Sequence, residues 1–110
     1  MASETVLELT DTNFETEVVS SEQPVLVDFW AEWCMPCRML TPIIDDLSQD
    51  FEGKVKVGKV DTDANRDLAV KYQINAIPTV MLFQGGEVVK KWQGVQKKAD
   101  FVAEIEKVTG

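Results

Sequence analysis

The chain has two cysteines, Cys34 and Cys37, which lie three positions apart in the sequence W-C-M-P-C. Two thiols at this spacing can close a small ring by forming a disulfide, or they can supply two ligands to a metal ion. The first arrangement exchanges electrons with other disulfides. The residues around the pair are therefore needed to distinguish redox chemistry from metal binding.

The pair follows an apolar strand-like run and opens a helix-like segment. A thiol at a helix N-terminus faces free backbone N–H groups and the positive end of the helix dipole, which favour the thiolate. Cys34 is therefore predicted to be the solvent-facing nucleophile, and Cys37, one turn further in, the more buried resolving thiol. Pro36 costs little between them, because first-turn N–H groups have no intrahelical partner.

A tetrahedral metal site needs four ligands, and the chain has neither a histidine nor a second pair of cysteines. This favours redox chemistry, although a cluster bridged by two copies of the chain remains an alternative. The lack of histidine also removes Ser-His-Asp and Cys-His catalytic pairs. Acid–base work then falls to carboxylates, lysines or thiols.

Asp28 is a carboxylate inside the apolar run VLVDFW, where a strand covered on both faces should carry none. Burial raises the pKa of a carboxyl group towards the range useful for proton transfer, so Asp28 is a candidate base. The alternative is an acid at the strand edge that reaches solvent. Lys59 is in phase with Val55 and Val57, so it is predicted to lie on the inward face of a later strand. The alternative is a surface lysine whose aliphatic chain packs against the protein while its ammonium reaches solvent.

Chain length and net charge further restrict the classes of function that the sequence allows. A chain of 110 residues with 45% hydrophobic and 27% charged residues fits a single domain, 1–110. The net charge of −8 disfavours nucleic acid as a ligand. The acidic N-terminal segment does not resemble a signal peptide, and no apolar run is long enough to cross a membrane. We therefore predict a cytoplasmic protein, in which a cysteine pair is more often catalytic than structural.

The apolar periodicity predicts alternating strands and helices. A strand at 5–9 precedes a short helix ending near Val19, which a capping box of Thr12 and Glu15 opens. The near-continuous apolar run 24–30 predicts a central parallel strand. A long amphipathic helix over 34–51 follows, and Pro42 is predicted to kink it.

The second half predicts a strand at 54–61, a short helix at 65–72 and a strand opened by Pro78. Gly85 and Gly86 then form a hairpin with the strand 87–93, and a last helix carries Phe101 and Ile105 on one face. Early strands that alternate with helices must be parallel, whereas the hairpin is antiparallel. The prediction is an α/β fold: a mixed central sheet of about five strands flanked by four helices.

Three motifs carry a family resemblance. The run V-D-F-W-A-E-W-C-x-P-C-R-M at 27–39, I-P-T at 77–79 and F-x-x-G-E-V at 83–88 resemble the thioredoxin family. The similarity covers nearly the whole chain. It implies the thioredoxin fold and a dithiol-disulfide oxidoreductase that reduces protein disulfides through a reversible Cys34–Cys37 disulfide.

The resemblance also implies residue roles. Asp28 would accept the proton of Cys37 through water, Lys59 would neighbour that acid, and Pro78 would be a cis proline facing the thiols. The cis bond would turn the backbone of Ile77 outward towards an extended substrate. The residues implied to line the substrate groove are Trp33, Met35, Pro36, Ile77, Gln93 and Gly94. Trp30 and Pro42 are implied to be structural near the site.

The implied partners are disulfide-containing proteins and a flavoprotein thioredoxin reductase that passes on electrons from NADPH. No bound cofactor or metal, no nucleic acid, no membrane and a monomeric state are expected. The chain departs from the family pattern at Met35 and Ala76, where Gly is more usual, and at Thr62 and Gln93, where apolar residues are more usual. A rival hypothesis is therefore a chaperone-like or assembly module in which Thr62 and Gln93 shape a non-redox interface.

Overall fold

The computed structural model of the chain describes residues 4–109. Five strands form one sheet: β1 (Val6–Leu9), β2 (Val25–Trp30), β3 (Lys56–Asp61), β4 (Thr79–Gln84) and β5 (Glu87–Gln93). The helical segments are a π-helical turn (Glu15–Val19), α1 (Met35–Asp50), α2 (Arg66–Lys71) and α3 (Lys98–Thr109). The predicted order of strands and helices, and with it the predicted α/β fold, is confirmed.

The strands lie in the order β1-β3-β2-β4-β5. The pairs β1–β3 and β3–β2 are parallel, and β2–β4 and β4–β5 are antiparallel. The predictions of a mixed sheet with β2 at its centre and of a Gly85–Gly86 hairpin are therefore confirmed. The last residues of β2 pair with the end of β3 through Asp61 and with the start of β4 through Thr79. Three chain segments thus meet where the C-x-x-C motif begins.

The sheet separates two hydrophobic cores. On one face Leu26, Val57 and Leu82 pack with α1 and α3, whose contributions include Leu40 and Phe101. The other face has the π-helical turn and α2 packed against it through Phe14, Val18 and Leu68. Because both faces of β2 are covered, its residues are apolar at nearly every position.

The predicted capping box at Thr12 and Glu15 is wrong. The residue before the π-helical turn is Phe14, which makes no side-chain capping bond. Asn13 joins the strand to the turn instead: its Oδ1 accepts the Thr10 N–H at 2.7 Å, and its Nδ2 donates to the Glu8 carbonyl at 3.0 Å. The turn is π-helical because the Ser20 N–H reaches five residues back to the Glu15 carbonyl.

The other predicted bounds differ by a few residues. The strand predicted to begin at Lys54 begins at Lys56, because the N–H groups of Lys54 and Val55 both donate to the Phe51 carbonyl in the turn after α1. Pro42 lies inside α1, which continues without interruption to Asp50. The kink at Pro42 stays a prediction.

Candidate active site

The two cysteines form a disulfide at the start of α1, with their Cα atoms 5.3 Å apart. Cys34 is the N-cap residue of the helix and has extended backbone angles, whereas Cys37 lies within the first turn. The end of β2 fixes this position, since the Cys34 N–H donates to the carbonyl of Ala31 just beyond the strand. The predicted place of the motif, between the central strand and the long helix, is therefore confirmed.

The helix N-terminus acts directly on one sulfur. The Cys37 N–H donates to Sγ of Cys34 at 3.2 Å, so this sulfur occupies the position that a capping oxygen takes in other helices. The same N–H can stabilise negative charge on that sulfur once the disulfide is reduced. Cys34 is thus the sulfur for which the backbone favours a thiolate.

The prediction that Cys34 faces solvent needs correction. Cys34 is only 4% exposed and Cys37 1% exposed, so the predicted order holds but both cysteines are buried in the disulfide form. The reason is packing: Ala31, Trp30 and Ile77 pack around the disulfide. Sγ of Cys34 also lies 3.8 Å from the Ile77 carbonyl oxygen. The small exposed part of Cys34 is thus bordered by Trp30 and Ile77.

The two residues next to Cys34 in the sequence are exposed apolar side chains. Trp33 is 72% exposed and Met35 is 67% exposed, on either side of Cys34. Pro36, at the first turn of α1, is exposed as well. Nε1 of Trp33 donates to Oδ2 of Asp63 at 2.8 Å, which ties the indole to the loop after β3. Sequence reasoning missed Asp63, because nothing in a polar run after a strand says which tryptophan it will face.

The peptide bond between Ile77 and Pro78 is cis, as the resemblance implied. The segment is fixed on both sides of Pro78. The Pro78 carbonyl accepts the Gly94 N–H at 2.8 Å, and the Thr79 hydroxyl donates to the Ala76 carbonyl at 2.6 Å. Gly94 is thus brought to the proline loop.

A cleft of about 200 Å³ lies beside this loop and is lined by Trp33, Thr62, Ile74, Asn75, Ala76 and Ile77. Of the predicted groove residues, Trp33 and Ile77 line it. Met35 and Gln93 are exposed outside its lining, and Gln93 is paired with Thr79 at the end of β5. Sequence reasoning missed Ile74 and Asn75, which reach the cleft through the turn that follows α2.

Asp28 is fully buried on β2, so the alternative of an acid that reaches solvent is wrong. Within the part of the chain that the structure describes, neither carboxyl oxygen of Asp28 has a hydrogen-bond partner. Burial raises the pKa of Asp28 from its ordinary value of 3.8 to about 7, and the positive charge of Lys59 opposes part of that rise. This carboxyl group can therefore exchange a proton near neutral pH.

Lys59 is paired with Asp28 across the parallel strands β2 and β3. Its ammonium donates to the Thr41 hydroxyl at 3.3 Å and lies 5.0 Å from the centre of the Trp30 ring. The lysine is half-buried, so the alternative of a surface lysine does not describe it. Trp30 packs against the disulfide, as predicted, whereas Pro42 is exposed on α1.

The outer side of the site carries mostly negative charge. Glu32, Trp33, Arg38, Asp61 and Asp63 line a second, open cleft. Nε of Arg38 donates to the Glu32 carbonyl at 3.0 Å, which holds this guanidinium near the motif. Three carboxylates and one guanidinium group therefore lie on the outer side of the motif.

Between residues 4 and 109, no group of three or more His, Cys, Asp or Glu side chains could hold a metal ion. No helix in the same range is long and apolar enough to cross a membrane.

Comparison with known proteins places these features in context. The family model described as Thioredoxin matches residues 5–107. A thioredoxin of Rickettsia bellii is 54% identical over 94 residues, which cover 86% of this chain and 90% of that protein. Thioredoxin 1 of a Nostoc species is 48% identical over 91% of this chain and 94% of its own length. A thioredoxin of Pseudomonas aeruginosa is 44% identical over 92% of this chain and 94% of its own length.

Proposed function

Because this chain belongs to the thioredoxin family and is a dithiol-disulfide oxidoreductase, we propose which of its residues perform each step of protein-disulfide reduction. The observation that carries the proposal is the bond from the Cys37 N–H to Sγ of Cys34, at 3.2 Å. It singles out one sulfur of the pair as the nucleophile.

In the first step, the Cys34 thiolate attacks one sulfur of a substrate disulfide. A mixed disulfide forms, and the other substrate sulfur leaves as a thiolate that takes up a proton. In the second step, Cys37 loses its proton and attacks Sγ of Cys34, so the second substrate thiol is released. The substrate gains two electrons and two protons, and the Cys34–Cys37 disulfide seen in the structure is the oxidised product.

Asp28 is the base that takes the proton from Cys37, through a bridging water. Its complete burial and its pKa of about 7 support this role, because a base is most effective when its pKa lies near the working pH. Lys59, on the neighbouring strand, stabilises the ionised form of Asp28 by its positive charge.

The substrate binds as an extended segment along Trp33, Met35, Pro36, Ile77, Pro78, Gln93 and Gly94. Exposed apolar surface at Trp33 and Met35 supports this site, and so does the Ile77 carbonyl close to the nucleophilic sulfur. Backbone groups of Ile77 would pair with the substrate as an added strand does, which suits many sequences. Trp30 supports the active-site loop from the side of the disulfide, and Pro42 has a structural role within α1.

The chain, 1–110, acts as a single monomeric domain in the cytoplasm, with no resident cofactor, nucleic acid or membrane. A flavoprotein thioredoxin reductase returns it to the dithiol form with electrons from NADPH, and this supports electron transport and cell redox homeostasis. The family relationship supports a reductase and disulfide-containing proteins as partners.

An insulin-reduction assay with dithiothreitol tests the proposal. We expect the protein to accelerate the precipitation of insulin chains and the Cys34→Ser variant to lose that acceleration. A wild-type rate no higher than that of Cys34→Ser would overturn the reductase function and favour a binding module. A colourless protein free of iron would dispose of the cluster-bridged dimer.

A further inference from the structure

The hydroxyl of Thr41 connects the active-site helix to Lys59. It donates to the Cys37 carbonyl at 3.3 Å, and it accepts a hydrogen bond from the Lys59 ammonium, also at 3.3 Å. Thr41 lies one turn after Cys37 in α1, and Lys59 lies on β3 beside Asp28. One side chain therefore ties the first turn of the active-site helix to this lysine.

Lys59 does not form a direct ion pair with Asp28. The ion pairs found between residues 4 and 109 include neither residue. The ammonium contacts the Thr41 hydroxyl and the face of the Trp30 ring instead. Its effect on Asp28 therefore acts across space and depends on where the ammonium is held.

Three other carboxylates line the cavity that Lys59 lines. Lys59 and Trp30 line a cavity of about 300 Å³ together with Glu8, Glu32 and Asp61. Glu8 and Glu32 are exposed and Asp61 is half-buried, so their charges lie towards solvent, whereas Asp28 is fully buried. A lysine side chain is flexible enough to turn towards such acids when nothing anchors it.

We propose that Thr41 is a positioning residue, whose hydroxyl anchors the Lys59 ammonium near Asp28 and away from the acids at the outer side of the cavity. The anchor sets the pH at which Asp28 ionises. Lys59 is the charged group that faces Asp28, and Glu8, Glu32 and Asp61 face Lys59. Cys37, in α1, is part of the disulfide and does not titrate in the oxidised protein.

Two opposing effects set the pKa of Asp28: burial raises it and Lys59 lowers it. If Lys59 turns away, burial acts with less opposition and the pKa of Asp28 rises further. The consequence for catalysis rests on the proposed role of Asp28 as the base, whereas the position of the ammonium does not.

The test is a titration of the oxidised protein, in which the Asp28 carboxyl carbon is followed by ¹³C NMR and assigned by its loss in Asp28→Asn. Thr41→Val removes the hydroxyl and keeps the branched shape, and Thr41→Ser keeps the hydroxyl. Thr109→Val is the matched control, because the Thr109 hydroxyl makes the same bond to the carbonyl four residues earlier, at 3.1 Å, in α3. Lys59→Met gives the full effect of removing the charge.

We expect the Asp28 midpoint to rise by about 0.5 to 1 pH unit in Thr41→Val and by more in Lys59→Met. Thr41→Ser and Thr109→Val should titrate like the wild type. An unchanged midpoint in Thr41→Val, with a shift in Lys59→Met, would show that the hydroxyl does not anchor the lysine. A lowered midpoint would show that the hydroxyl holds Lys59 away from Asp28, and it too would overturn the proposal.

Two additions keep the outcome clear. Thr41→Ala serves as a second hydroxyl-free variant if Thr41→Val does not give a folded protein by circular dichroism. The rate at which Cys37 resolves a mixed disulfide is measured separately in Asp28→Asn. An unchanged rate there would reject Asp28 as the base, while the NMR midpoints still decide whether Thr41 positions Lys59.

Discussion

The two cysteines differ in the part of the first helical turn that each occupies. Cys34 caps the helix, and its sulfur accepts the Cys37 N–H, whereas Cys37 lies within the turn and is 1% exposed. The backbone therefore stabilises a thiolate on Cys34 and hides the sulfur of Cys37. Attack from outside should begin at Cys34 even though both side chains are largely covered.

This asymmetry predicts different outcomes for the two serine variants. Reduced Cys37→Ser should accumulate a covalent mixed disulfide with a protein substrate, because the attacking thiol remains and the resolving thiol is gone. Reduced Cys34→Ser should trap no substrate. Non-reducing electrophoresis followed by mass spectrometry measures both. Equal trapping by the two variants would contradict the assigned roles.

Asp28 destabilises the folded protein at neutral pH. Its pKa is 3.8 when unperturbed and about 7 in the fold, so the folded state binds more protons than the unfolded state between those values. Stability therefore falls as the pH rises through this interval, and the loss is complete above about pH 7. The difference between the two pKa values corresponds to about 4 kcal/mol.

Replacing the acid should remove that loss. We expect Asp28→Asn to raise the free energy of unfolding of the oxidised protein by about 2–4 kcal/mol at pH 8, less than the full amount if the buried amide stays unpaired. The gain should disappear as the pH falls towards 4. Urea denaturation at several pH values measures it, with Glu22→Gln as a control that removes an exposed charge. A pH-independent gain would show that ionisation of Asp28 is not its cause.

The same variant should be slower as an enzyme. If Asp28 removes the Cys37 proton, Asp28→Asn should slow resolution of the mixed disulfide by about tenfold or more at pH 7. Stopped-flow fluorescence can follow this step, since Trp30 packs against the disulfide. A destabilised variant with an unchanged resolving rate would make Asp28 a structural carboxylate.

At the scale of elements, the close approach of β1 to β3 depends on Gly58. A Cβ atom added at this position would lie 2.5 Å from Cδ1 of Leu9 and 3.2 Å from the carbonyl of Leu7. Leu9 is fully buried, so it has little room to move. Parallel pairing of the edge strand β1 thus requires a residue without a side chain at position 58 of β3.

Gly58→Ala should therefore destabilise the protein by about 1–3 kcal/mol. Leu9→Ala should cost about 2–5 kcal/mol on its own, because it leaves a cavity. The double variant should lose less than the sum, since the new methyl group occupies part of that cavity. Urea denaturation of all three variants gives the coupling. Strictly additive losses would mean that Gly58 does not contact Leu9 as described.

Element types could be predicted because they depend on local patterns. The apolar run of β2, the spacing of apolar residues in α1 and the Gly85–Gly86 turn each indicate a structure by themselves. Contacts between distant residues could not be predicted this way. The bonds from Trp33 to Asp63 and from Lys59 to Thr41 depend on how the elements pack. The family resemblance supplied the cis proline and the place of Lys59, which residue patterns alone left open.

On the scale of the whole molecule, the site lies at one end of β2 and the chain is acidic. The ends of β2 and β3 and the start of β4 meet there. This end of the sheet therefore presents the disulfide, the proline loop and the carboxylates of Glu32, Asp61 and Asp63. A net charge of −8 adds to this local field. Cationic substrates should therefore be attracted to the end of the sheet that carries the disulfide.

Salt should expose this attraction. For peptides with the same disulfide, the second-order rate of reduction should fall several-fold for a lysine-flanked peptide between about 0.01 and 0.3 M salt, because the screening length falls from about 30 Å to below 10 Å. A glutamate-flanked peptide should react faster as salt increases, and an uncharged one should change little.

Paired variants separate the local charge from the total charge. Glu32→Gln and Glu22→Gln remove the same charge, but Glu32 follows β2 beside the disulfide, whereas Glu22 precedes β2 at the opposite end. Strand geometry puts these ends about 20 Å apart, well beyond the screening length at 0.1 M salt. The salt dependence for the lysine-flanked peptide should therefore weaken more in Glu32→Gln. Equal weakening would mean that the total charge of the molecule, and not the carboxylates beside the disulfide, attracts the substrate.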